Sequence, residues 1–170
     1  TGTIEVLNGA TIILQGTWGG GGLVRATSGT ITLGGSFTQT AGQFEQGAGG
    51  EFVVNGTLDL GGGVLTLNAT TGGWILNGGT LRNGTVELVG GVKLVATGNG
   101  LLQDLTVIGT VTGQAFNSLR LQGNLNLAAG LIELPLATLN IVSSLTIAGG
   151  QLDLAGGTVA TPAGVTLTLS

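Results

Sequence analysis

A short triplet of the form apolar, polar, apolar recurs along this chain at intervals too regular for irregular structure. Between residues 119 and 154 it reads LRL, LNL, IEL, LNI, LTI and LDL. Each triplet fits a very short β-strand whose flanking side chains face inward and whose centre faces outward. Triplets three apart are separated by 20 residues. The repeat unit therefore has about 20 residues and three strands.

The recurrence extends over the whole chain as three series of triplets. The first series has the centres Glu5, Arg25, Glu45, Thr66, Glu87, Thr106, Asn126, Thr146 and Thr166. The second has the centres Ile13, Thr32, Val53, Ile75, Lys93, Thr112, Glu133 and Asp153. The third, less regular series has the centres Thr38, Asp59, Arg82, Arg120, Asn140 and Ala160.

These series predict an all-β fold, a three-sided parallel β-solenoid or β-helix, as a single domain over residues 1–170. About eight turns of about 20 residues at about 4.8 Å per turn would form a rod roughly 40 Å long. Gly and Asn-Gly pairs lie between the triplets, where the chain must turn a corner. The same pairs are also hairpin signals, so an antiparallel meander is the competing interpretation. A meander, however, would not require the recurrence.

Composition excludes several classes of partner. Charged residues are 7% of the chain, the net charge is -4, and the basic residues are scattered singly, so we expect no nucleic-acid partner. No apolar run approaches the roughly 20 residues that span a bilayer, so we expect no membrane insertion. The absence of Cys excludes disulfides and thiolate chemistry.

Stacking at this period also predicts contacts between charged side chains on the outer faces. Glu5 and Glu45 should flank Arg25, and Asp59 should lie beside Arg82. Glu133 and Asp153 should be neighbours of like charge. That pair suggests either an error in the assumed register or a cation between the two carboxylates.

Residues suited to catalysis are scarce, because His, Cys and Tyr are absent. A glycosidase that uses Glu133 and Asp153 as paired carboxylates is the remaining enzymatic alternative. We predict no catalytic, cofactor-binding or metal-binding residues and no enzyme. An ice-binding face would need a regular array of Thr, and Glu87 and Asn126 interrupt the column of Thr66, Thr106, Thr146 and Thr166.

One outer face has an apolar stripe, the predicted interface. Its outward centres are Ile13, Thr32, Val53 and Ile75, and an exposed stripe of this kind often marks an interaction surface. The alternative is that the segment TWGGGG, with Trp18, folds over the stripe.

Neither end of the chain has a recognisable cap, such as a helix or a charged loop. We therefore expect either continuation into a longer solenoid or self-association by end-to-end stacking.

The runs GGTLRNGTVELVGG and LTLNATTGG, together with the triplet series, resemble the β-solenoid repeats of bacterial autotransporter passengers and filamentous-haemagglutinin-like adhesins. The resemblance covers nearly the whole chain. It implies an extracellular or cell-surface location and a non-enzymatic stalk, fibre or adhesin, with host or matrix glycans or proteins as partners. The alternatives are a binding module for a repetitive ligand, glycan or ice, and a polysaccharide lyase or hydrolase.

Overall fold

The computed structural model describes residues 2–38 and 43–170, and within them it contains twenty β-strands and no helix. The first ten strands are β1 (Thr3–Val6), β2 (Thr11–Leu14), β3 (Thr17–Trp18), β4 (Leu23–Ala26), β5 (Thr30–Leu33), β6 (Ser36–Thr38), β7 (Gln43–Gln46), β8 (Glu51–Val54), β9 (Thr57–Asp59) and β10 (Val64–Leu67). The others are β11 (Trp74–Asn77), β12 (Thr80–Leu88), β13 (Lys93–Thr97), β14 (Asn99–Gly113), β15 (Ser118–Glu133), β16 (Thr138–Ile141), β17 (Leu145–Ala148), β18 (Gln151–Asp153), β19 (Thr158–Ala160) and β20 (Leu167–Leu169).

The strand pairings are parallel and fall into three columns, so the predicted three-sided β-solenoid is confirmed. Side A begins with β1 and β4 and ends with β17 and β20. Side B runs from β2 through β5, β8, β11 and β13 to β18. Side C runs from β3 through β6 and β9 to β16 and β19. The long strands β12, β14 and β15 pass through corners and contribute to more than one side.

Alternation of side chains builds the core. Along β5, β8 and β16 the burial alternates between half-buried and buried, as a strand with one inward face requires. Trp74, which is fully buried, stacks between Phe52 and Leu94 on neighbouring turns. Its ring centroid lies 4.9 Å from that of Phe44 on side A, so aromatic contacts join two sides across the interior.

The register matches the predicted one at most steps and differs from it by two residues at several others. The first series placed Thr106 beside Glu87, whereas the structure pairs Glu87 with Ile108 and Thr106 with Thr85. A shift of two residues leaves every side chain on the same face, so hydrophobic alternation cannot distinguish the two registers. The same kind of shift accounts for the pairs Ile75–Val95, Lys93–Thr110, Asn124–Thr146 and Thr146–Thr168.

Side A is interrupted between its third and fourth strands. In the described part of the chain, β1, β4 and β7 form a separate sheet that does not pair with β10. Gln46, at the end of β7, donates its backbone N–H to the Thr70 carbonyl at 2.8 Å and its Nε2 to the Gly50 carbonyl at 2.7 Å. Its Oε1 is buried and has no partner. The predicted step from Glu45 to Thr66 is therefore wrong as a strand pairing, because the loop that contains Thr70 supplies the contact instead.

Corners require glycine where successive turns approach closely. At Gly35 φ is +68°, and a Cβ would overlap the backbone of Gly16 on the preceding turn. At Phe116 and Leu136, by contrast, the corner positions with φ of 63° and 54° carry large side chains. Left-handed φ at these two positions is unusual, because the Cβ of a residue in that conformation comes too close to the backbone.

Candidate functional site

The predicted apolar stripe on side B is assembled as expected. Ile13 pairs with Thr32, Thr32 with Val53, and Val53 with Ile75, so the four residues form one outward column. Val95 extends the column by one turn. Ile13 is 57% exposed and the other four are half-buried, so the stripe is most accessible at its first turn.

Trp18 does not lie over this stripe. It belongs to side C, where its ring stacks on Phe37 with a centroid separation of 4.3 Å and an interplanar angle of 11°. The indole Nε1 donates a hydrogen bond of 2.8 Å to the Gly34 carbonyl. Trp18 also lines a cavity of about 390 Å³, together with Ile4 and the glycines at 19–22. The structure therefore separates Trp18 from the four stripe residues with which it was predicted.

The first charged ladder is present on side A. Arg25 lies between two carboxylates, 2.7 Å from Glu45 and 3.8 Å from Glu5. The hydrogen bond from Arg25 to Glu45 and the charge of that carboxylate raise the pKa of the guanidinium. All three groups are about one-third exposed, so the ladder adds little stability and mainly fixes neighbouring turns relative to one another.

The second predicted pair, Asp59 with Arg82, is part of a hydrogen-bonded corner on side C. The Asp59 carboxylate accepts hydrogen bonds from the Gly61 backbone N–H at 3.0 Å, from Arg82 Nε at 2.9 Å and from Asn83 Nδ2 at 3.1 Å. These donors, the Gly61 N–H foremost, lower the pKa of Asp59. In this geometry Asp59 stabilises the backbone conformation of the corner through these hydrogen bonds.

Glu133 and Asp153 are neighbours on side B, as predicted, but each carboxylate has its own partner. Lys93 reaches across an intervening turn to place Nζ 2.7 Å from Glu133 Oε2. Asp153 Oδ1 accepts a 3.0 Å hydrogen bond from the Ala155 N–H. Among the described residues no group of three or more His, Cys, Asp or Glu could hold a metal ion. The positive charge of Lys93 therefore offsets the repulsion between the carboxylates of Glu133 and Asp153.

The predicted column of Thr66, Thr106, Thr146 and Thr166, interrupted by Glu87 and Asn126, is confirmed at two of its steps and displaced by two residues at the other three. Thr66 pairs with Glu87, Thr106 with Thr85 and Asn126, and Thr146 with Thr168 instead of Thr166. The register shifts described above distribute these threonines over different columns. The array of Thr that an ice-binding face would need is therefore more fragmented than the sequence spacing implied.

A groove on side C, lined by both polar and apolar residues, was not singled out from the sequence. It has a volume of about 540 Å³ and is lined by Asn99, Arg120, Asn140, Ile141, Val142, Ala160, Thr161 and Pro162. In the parts of the chain that the structure describes, Arg25, Arg82 and Lys93 each have a carboxylate partner, and Arg120 has none. The feature of the sequence that indicates this site is the column around Arg120. Its stacked neighbours Leu101 and Asn140 are both uncharged, so neither can form an ion pair with Arg120.

The fold and these faces define a class of protein, the parallel β-solenoids, and nothing narrower. No helix in the described residues has the length and apolarity to cross a membrane. No protein-family model, curated protein or solved structure matches the chain.

Proposed function

We propose that this chain is a structural element, a rigid β-solenoid rod that forms part of a fibre or adhesin stalk on the outside of a bacterial cell. The mechanism is shape: the rod holds whatever it carries at a fixed distance. The observation that carries the proposal is the parallel ladder of side B, which joins strands from β2 to β18 without a break.

Mechanical stiffness follows from this geometry. The hydrogen bonds between turns run along the rod axis, because parallel strands in each column bond to the turns before and after them. A force along the axis must separate the columns of one turn together, and it must also expose the apolar ladder inside. Trp74, Leu81 and Leu94 of that ladder are fully buried.

The outer charges support the same proposal. Three of the four basic side chains form ion pairs within the rod. Arg25 and Arg82 join adjacent turns, and Lys93 reaches over two. Such bonds add to the contacts between turns and leave few charges free for chemistry on a substrate.

Labelling of intact cells tests the location. An antibody raised against the 170-residue chain is applied to unpermeabilised cells of the organism that makes it. We expect surface labelling on projecting fibres. Labelling that appears only after permeabilisation would contradict the proposal.

Electron microscopy of the purified chain at several concentrations tests how the rod is extended. Rods of constant length, about 40 Å for eight turns at about 4.8 Å each, are expected where further turns of the same polypeptide continue the stalk. Rods that lengthen with concentration are expected where copies stack end to end. Compact particles without a long axis would exclude both.

A further inference from the structure

The groove on side C points to a function beyond that of a rod. We propose that it binds an acidic oligosaccharide, with Arg120 as the group that recognises a sugar carboxylate. Four features of side C support this proposal: an unpaired cation, the polar columns around it, the wall of the groove and a strained aromatic corner.

Arg120 is the first observation. Its backbone pairs with Leu101 on one side and Asn140 on the other, so neither neighbour in its column supplies a negative charge. No acidic residue lines the groove. Arg120 is half-buried, and among the described residues its guanidinium has no carboxylate partner, so this planar fork of donors is suited to bidentate binding of a carboxylate from a ligand.

The columns beside Arg120 are suited to sugar hydroxyls. One outward column consists of Asn99, Ser118, Thr138 and Thr158, and the hydroxyls of Thr138 and Thr158 lie 3.2 Å apart. Amides and hydroxyls both donate and accept hydrogen bonds, as the hydroxyls of a saccharide do. Their repetition at about 4.8 Å offers equivalent contacts to successive units of an extended ligand.

The wall of the groove gives the site its depth. The chain leaves side C at Val142 on one turn and at Thr161–Pro162 on the next, and these residues line the groove beside Asn140. Proline fixes the backbone locally and cannot donate a hydrogen bond. A ligand in the groove would therefore lie beside an edge whose backbone Pro162 restrains.

The opposite edge of side C has the strained corner. Phe116 is 88% exposed and Leu136, one turn further, is 53% exposed. Both have left-handed φ, at 63° and 54°, where this solenoid elsewhere uses mainly Gly or Asn. Strain retained at an exposed aromatic residue is typical of functional surfaces, and an exposed ring can pack against the apolar face of a sugar.

The charges of the chain limit the density of negative charge that a ligand of this groove can have. A chain with net charge -4, in whose described part Arg120 is the one basic side chain without a carboxylate partner, cannot neutralise a dense polyanion. A saccharide chain with isolated carboxylates, of the uronic acid type, fits these charges better than nucleic acid or polyphosphate.

Calorimetric titration of the whole chain with tetragalacturonate tests the proposal, with the neutral galactose tetrasaccharide as the matched ligand. We expect binding of the acidic ligand that is at least about ten-fold tighter than binding of the neutral one. Equal binding of both, or no binding of the acidic ligand at millimolar concentration, would overturn the proposal. Competition by inorganic phosphate as effective as that by the tetrasaccharide would also overturn it, because the groove would then be a general anion site.

Variants locate the site. Arg120→Gln should weaken binding about ten-fold or more, and Arg120→Lys should recover only part of it, because an ammonium lacks the planar fork. Lys93→Gln, which removes the same charge from side B, is the matched control and should leave binding unchanged. Phe116→Gly should weaken binding without loss of fold. An equal effect of Arg120→Gln and Lys93→Gln would refute a specific role for Arg120.

Discussion

Replacement of Phe116 by glycine should stabilise the protein, although it removes a large apolar side chain. The ring is 88% exposed, so its removal returns almost no buried surface to water. The backbone has φ of 63°, a conformation that costs a residue with a Cβ about 1–2 kcal/mol. Glycine avoids that cost but loses about 0.5–1 kcal/mol through its greater freedom in the unfolded chain. The net expectation is a gain of roughly 0.75 kcal/mol, the middle of a range from about 0 to about 1.5 kcal/mol.

Urea unfolding, followed by the fluorescence of the buried Trp74, measures this gain. With a slope of about 2 kcal/mol/M, the midpoint for Phe116→Gly should rise by about 0.4 M at an unchanged slope. Gly78→Ala is the matched control, because φ there is +71° and a Cβ would meet no atom within 4 Å. That variant should lower the midpoint. A fall for Phe116→Gly as large as the fall for Gly78→Ala would show that the ring makes stabilising contacts and would refute the strain argument.

Three further substitutions test the core and the charged ladders. Leu81→Ala, at a fully buried position, should cost about 2–5 kcal/mol in urea unfolding; a loss below about 1 kcal/mol would contradict close packing between turns. The pKa of Asp59 is lower in the folded protein than in the unfolded chain. Its contribution to the free energy of unfolding is therefore present above the pH at which an ordinary carboxyl group titrates, and it is lost as the pH falls toward the lowered pKa. Asp59→Asn should therefore reduce the loss of stability between neutral and acidic pH, and an unchanged pH profile would refute the assignment. Arg25→Gln should lower the urea midpoint only slightly, and the difference from the natural chain should shrink at high salt; a large, salt-independent fall would show that Arg25 acts through packing.

The architecture could be predicted from the sequence because two periodic patterns, the two-residue alternation of apolar side chains and the 20-residue recurrence of triplets, indicate the same fold. Alternation assigns each side chain to a face, and the 20-residue recurrence places turn above turn. The ion pairs of Arg25 and Arg82 followed directly from that stacking. Registers that differ by two residues, such as Ile75 with Lys93 or with Val95, could not be distinguished, because both keep the same side chains inward.

Two local features could not be predicted from the sequence and became visible only in the structure. The break on side A centres on Gln46, a polar residue at an inward position, and its partners Gly50 and Thr70 belong to loops whose conformation the triplets do not define. The groove at Arg120 depends on a wall at Pro162, more than one turn away along the chain. Spacing indicates which residues stack, but it does not show where a corner projects beyond the face.

Distances between spin labels test the solenoid most directly, and the absence of Cys makes labelling specific. Two double-cysteine variants are needed, one with labels at Ile13 and Thr112 and one with labels at Ile13 and Asp153. These pairs are five and seven turns apart in the side B column. At about 4.8 Å per turn the backbone separations are roughly 24 and 34 Å. The account predicts that the measured distance increases by about 10 Å from the first pair to the second. Equal distances, or a shorter distance for the second pair, would contradict a parallel solenoid.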